Sequence, residues 1–192
     1  MFMFQGVDGK TRSTLWFYDT GCSHLLMRND VPKTQFESTL LQKGPFSIGG
    51  VGAVRTMANE EYLISVKRAD GRMQHFQGIT LDNITTEFPL VDLQAATADV
   101  KKSDPANNEL QKCSVPPSVG GHVDVLVGIT YSSSFPELVH MLDCGLGIYR
   151  CKLASHNKKW NALIGGSHES FDCLVKGAGN VSYLLASFVA SL

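Results

Sequence analysis

The chain has 192 residues, 43% of them hydrophobic and 18% charged, with 17 Lys+Arg against 18 Asp+Glu and a formal net charge of -1. That length supports one domain with a sizeable core, or a domain plus appendages, and the charge balance implies no basic face, which makes nucleic acid a poor candidate partner. Five cysteines (Cys22, Cys113, Cys144, Cys151, Cys173) are odd in number and form no C-x-x-C pair, which argues against a disulfide scaffold or zinc knuckle and for a reducing, intracellular compartment.

Residues 1–8 lack a basic region and reach Asp8 before any apolar segment forms, unlike a signal peptide. No stretch approaches the roughly 20 apolar residues of a membrane helix. Residues 2–5 read as a strand, with Asp8-Gly9 at the tip of a turn, and residues 14–18 as the returning strand. The run Leu15-Trp16-Phe17-Tyr18 has no polar face, as in a buried strand, and it stops at Asp19-Thr20-Gly21-Cys22-Ser23. A carboxylate at that strand end must be hydrogen-bonded, paired or partly protonated. Residues 25–41 are a weaker segment in which Pro32 interrupts any helix.

Ile48-Gly49-Gly50-Val51-Gly52 lies between two plausible strands, the second at 62–67. Asp70-Gly71 is a hairpin turn, closed by residues 73–81. Residues 82–122, punctuated by Pro and Gly, read as a long excursion with a short helix at 93–101. Val123-Asp124-Val125-Leu126-Val127-Gly128-Ile129 is a second buried strand. Residues 136–142 fit a short helix with Pro near its first turn, and residues 147–153 a strand. The segment from about 174 onward has no readable element.

These landmarks, in this order, resemble the retroviral-type aspartic peptidases, and more closely the peptidase segment of Pao-type retrotransposon polyproteins. The resemblance spans roughly residues 2–171 and rests on the Asp-Thr-Gly run at 16–23, the Gly-rich segment at 48–67, and Leu126-Val127-Gly128. Beyond these it uses the segments at 136–142 and 147–153, Gly145-Leu146-Gly147-Ile148-Tyr149-Arg150, and Ile164-Gly165-Gly166-Ser167-His168. It departs from the family at Cys22, where Ala or Ser is usual, at Ile129-Thr130, and in the length of 82–122. It implies a mostly β, closed-barrel protomer with one short C-terminal helix. The peptidase domain would span residues 1–153, with 82–122 inserted, and residues 154–192 would form an extension.

The family's chemistry uses two carboxylates about 3 Å apart that share one proton. One activates a water while its neutral partner polarises the scissile carbonyl. Asp-Thr-Gly occurs once here, so the resemblance implies a homodimer with Asp19 from each copy. Thr20 would cross-bond to the partner chain, Gly21 would admit backbone N–H groups, and Ser23 and Gly128 would support the loop. Gly49, Gly50, Val51 and Gly52 would form a flap over a polypeptide substrate bound as an extended strand. No cofactor, metal, nucleic acid or membrane is implied, and the setting would be the cytoplasm or element-encoded particles.

Other readings of the same residues are weaker. The glycine-rich segment is not followed by Lys-Ser/Thr, so it fails as a phosphate loop. Cys22-Ser23-His24 lacks an orienting third group for a thiol nucleophile, and the Cys/His spacings fit no zinc pattern. The functional alternatives are a catalytically inactive relic or domesticated peptide-binding β domain, and an unrelated β-rich interaction module.

Overall fold

The computed structural model describes residues 2–5, 11–49, 55–68, 70–85, 87–92, 98, 101–102, 118–141, 147–150, 153 and 162–165. The architecture is mostly β. Strands β1 (Phe2–Gln5) and β2 (Thr11–Thr14) pair antiparallel. The central sheet contains β3 (Trp16–Asp19), β4 (Leu25–Arg28), β5 (Glu37–Gly49), β6 (Arg55–Lys67), β7 (Met73–Leu81) and β10 (Val125–Gly128). Its strand order is β3-β10-β4-β7-β6-β5. β8 (Phe88–Asp92) pairs antiparallel with β9 (Ser118–Gly121), so the excursion leaves and returns through a two-stranded ribbon. β11 (Glu137–Met141), β12 (Gly147–Arg150) and β13 (Ala162–Gly165) form a third antiparallel sheet.

At β3, β4 and β10 the central sheet is apolar on both faces, which is why these strands carry unbroken hydrophobic runs rather than alternation. Trp16, Tyr18, Leu25, Met27, Val125 and Val127 enter one buried cluster together with Ile64 and Phe76. Leu26 and Leu126 enter the opposite cluster, against which Leu15 and Phe17 pack. Within the first cluster, Trp16 meets Phe36 and Phe76 edge-on at centroid distances of 5.9 and 5.8 Å, and Tyr18 meets Phe135 at 5.3 Å. Each such pair adds about 0.5–1.5 kcal/mol beyond area burial.

Four expectations are corrected. The sheet is mixed and open: β3 and β5 stand at opposite ends of the strand order, and no ladder joins them among the described residues. The barrel therefore does not close. Residues 137–141 form a strand instead of the expected C-terminal helix. Five residues are too few to sustain a helix without packing, and antiparallel pairing with β12 satisfies their backbone. Helical backbone falls earlier, as two short 3-10 turns within Ile129–Ser134 that kink at Tyr131. Pro32 does not prevent a helix. It lies in the first turn of α1 (Val31–Gln35), where its missing N–H costs nothing. Residues 14–18 are not one strand, because β2 ends at Thr14 and β3 begins at Trp16.

The Asp70-Gly71 turn joins β6 to β7, with Gly71 at φ 86° and Arg68 N–H donating to Arg72 O at 2.7 Å. In the excursion, Ala98, Lys101 and Lys102 are helical. The rest of the helix expected at 93–101 lies outside the described residues, as do the Asp8-Gly9 turn and the segment from 174 onward. Of the expected strand 147–153, residues 147–150 form β12 and Leu153 is buried and bridged to Arg68, while residues 151–152 lie outside the described residues. Beyond residue 153, β13 pairs with β12.

Candidate active site

β3 runs parallel to β10, with Trp16 opposite Val125, Tyr18 opposite Val127 and Asp19 opposite Gly128. β10 is itself antiparallel to β4, pairing Val127 with Leu25. The loop 20–24 therefore leaves β3 at Asp19, turns, and re-enters the sheet as β4 on the far side of β10. That path carries the loop backbone across the end of β10 at Gly128.

The crossing is close. A Cβ on Gly128 would lie 2.5 Å from Cys22 O and 2.8 Å from His24 N, and would also overlap His24 O. These are backbone atoms, so no side-chain rotation relieves the overlap. The loop is fastened there: Ile129 N–H donates to Cys22 O at 2.7 Å. The Thr130 hydroxyl donates to Ser23 O at 2.5 Å.

Asp19 is half-buried, and its Oδ1 accepts the Gly21 N–H at 2.8 Å. A Cβ on Gly21 would approach that same oxygen to 3.2 Å. Thr20, Gly21, Ser23 and His24 are exposed. Ser23 Oγ and His24 Nδ1 are hydrogen-bonded at 2.8 Å. The Cys22 thiol donates to the backbone His24 O at 3.4 Å. Burial pushes the thiol up from its ordinary value, outweighing the lowering by its bond to His24 O, and the Asp19 charge adds a smaller push in the same direction as burial. A nucleophilic cysteine needs the opposite shift.

The kinked 3-10 segment after β10 is clamped onto β7 at Tyr131. Gln77 N–H donates to the Tyr131 oxygen at 2.7 Å, and the Tyr131 hydroxyl donates to Gln77 O at 3.0 Å. The Tyr131 ring lies 5.0 Å from that of Phe76, and Gln74 Nε2 donates to Ser134 Oγ. Gly128 is thus held between two anchored segments.

The sequence-predicted residues fall in two groups. Asp19, Thr20, Gly21, Ser23 and Gly128 share the loop and the strand beneath it. Gly49 ends β5, opposite Arg55 in the β5–β6 hairpin, while Gly50, Val51 and Gly52 lie outside the described residues. Of the cysteines, only Cys22 falls within them. Among the described residues, no group of three or more His, Cys, Asp or Glu side chains can hold a metal ion. No helix of the described residues is long and apolar enough to cross a membrane.

The sequence pattern gives Thr130 and Tyr131 no supporting role and does not reveal a polar node at the opposite end of β3 and β10. There the Asp124 carboxylate accepts Leu15 N–H at 2.8 Å and pairs with Arg28 Nη2 at 3.2 Å. The signal was a single charge inside an apolar run.

Comparison of the chain with family models, curated proteins and solved structures returns no match.

Proposed function

We propose that this chain is an aspartic endopeptidase, one half of a homodimer that hydrolyses peptide bonds in a retrotransposon-type polyprotein. The observation that carries the reading is the placement of Asp19 at the end of a buried strand and opposite Gly128. The loop around it is held by backbone and hydroxyl bonds from residues 129 and 130. A turn aspartate on an outer loop needs no such support.

In this reading each chain presents one carboxylate, and two copies bring them together across a two-fold axis. One carboxylate takes a proton from a bound water while the other, protonated, polarises the scissile carbonyl. Gly21 leaves room beside Asp19, and the bond from Gly21 N–H to Oδ1 fixes the carboxylate's orientation. Thr20, exposed beside Asp19, is available to the partner chain. The β5–β6 hairpin, in which Gly49 pairs with Arg55, is the covering flap. The substrate lies extended beneath it, its backbone paired and its side chains in pockets.

The test is Asp19→Asn assayed on a peptide library with and without a transition-state aspartic peptidase inhibitor. Asparagine retains an oxygen for Gly21 N–H, so the fold persists while hydrolysis is lost. Inhibitor-sensitive cleavage that survives the substitution refutes the assignment of Asp19.

A further inference from the structure

β3 and β10 are only four residues long each, and so short a parallel pair does not set its own register. A one-residue slip would bring Val127 or Ile129 to the place of Gly128, against backbone that leaves no room for a Cβ. That constraint acts at the Asp19 end. The opposite end carries a second device.

Leu15, just before β3, and Asp124, just before β10, bond in both directions. Leu15 N–H donates to Asp124 Oδ2 at 2.8 Å, and Asp124 N–H donates to Leu15 O at 2.9 Å. Arg28, at the end of β4, does the same from the other side. Its N–H donates to Asp124 O at 3.0 Å, and its guanidinium reaches Asp124 Oδ1 at 3.2 Å while also binding Asp30 at 2.8 Å. One residue thus ties the starts of two parallel strands to the end of the antiparallel strand beside them.

We propose that Asp124 is the positioning residue for Asp19: its carboxylate pins the start of β3 to the start of β10, so that four residues later Asp19 arrives opposite Gly128. The charged and titratable groups whose fields act on it are Arg28 on β4, Asp30 after β4 and His122 before β10. Arg28 compensates the half-buried carboxylate, and the Leu15 N–H gives it direction. What Asp124 contributes to turnover rests on the aspartic-peptidase reading; what it contributes to strand register does not.

The experiment compares the full chain with Asp124→Ala and Asp124→Asn, measuring amide hydrogen exchange residue by residue together with kcat and KM on a cleaved peptide. Asparagine keeps an acceptor for Leu15 N–H; alanine does not. In Asp124→Ala, exchange at Leu15 and along β3 and β10 accelerates by about tenfold or more, the scale of a lost bond to a charged acceptor. The β6–β7 hairpin retains its protection, kcat falls, and KM is held. Asp124→Asn restores most of both. Wild-type protection at Leu15 and β3 in Asp124→Ala overturns the proposal, as does equal acceleration in the β6–β7 hairpin, which marks a general stability role. The expected exchange pattern in a chain without turnover supports the pinning and refutes the peptidase reading. Lost turnover with unchanged exchange refutes the pinning and leaves the peptidase reading standing.

Discussion

Asp19 and Gly128 sit opposite one another at the ends of two parallel strands, and the chain between Asp19 and β4 crosses directly over Gly128. The carboxylate and the glycine belong to one device. The strand delivers Asp19 to the surface of the core, and the missing side chain at 128 lets the loop pass. Ile129 and Thr130 then hold the loop by its carbonyl oxygens.

Gly128→Ala tests that device. The added methyl meets Cys22 O and His24 N at 2.5 and 2.8 Å, so either the loop or β10 must move. Overpacking of this kind costs about 1–3 kcal/mol. Denaturant titration should show a lowered midpoint with an unchanged slope, and hydrolysis should fall further than stability does. A variant as stable and active as the wild type contradicts the close crossing.

The Cys22 thiol offers a second check. With its ionisation pushed up by burial, it is less ionised at any given pH than an ordinary thiol. Peptide-resolved alkylation should be slow at Cys22 at pH 8 and rise only at higher pH. Cys22→Ser should keep hydrolysis within a few-fold. Loss of hydrolysis in that variant points to a thiol mechanism.

Asp124 gives the stability of the chain a pH dependence of definite sign. Burial raises its carboxyl above the ordinary value, outweighing the lowering by Leu15 N–H and Arg28. Between the unfolded and folded values the native chain holds a proton that the unfolded chain has released. Its contribution to stability therefore falls as pH rises through that window, which opens at about pH 4. Asp30 is shifted the other way by its bond to Arg28, so its contribution is lost as pH falls below that window. Unfolding free energies of wild type and Asp124→Asn, measured across pH, should show the wild type's relative stability declining from the acid side and then levelling. A difference that grows with pH contradicts the raised value.

Much of the fold was legible because its signals are local. The Asp70-Gly71 turn, the strand Met73–Leu81 and the buried run Val125–Gly128 stand where the residues place them. The parallel pairing of β3 with β10 was not legible, since Leu15 and the Asp124 carboxylate it meets are 109 positions apart. Residues 136–142 carry a pattern that a helix and a strand both satisfy, and the choice is made by β12, which the segment itself does not contain. Thr130 looked like a departure from the family pattern, because nothing in its neighbours foretells the carbonyl of Ser23. Asp19, Gly21 and Gly128 were readable as a set only through their order along the chain. That Gly128 lies against the loop backbone is a property of the folded path.

The central claim is that one chain supplies half a site, and mixing tests it most directly. Wild-type and Asp19→Asn chains are combined in varying proportion at a fixed total concentration high enough for sedimentation to show a dimer, and the hydrolysis rate is measured. With two Asp19 carboxylates required, the rate follows the square of the wild-type fraction, so an equimolar mixture retains about a quarter of the activity, as expected for random pairing in a two-fold dimer. A rate that falls in simple proportion to the wild-type fraction, or persists in Asp19→Asn alone, contradicts the shared site.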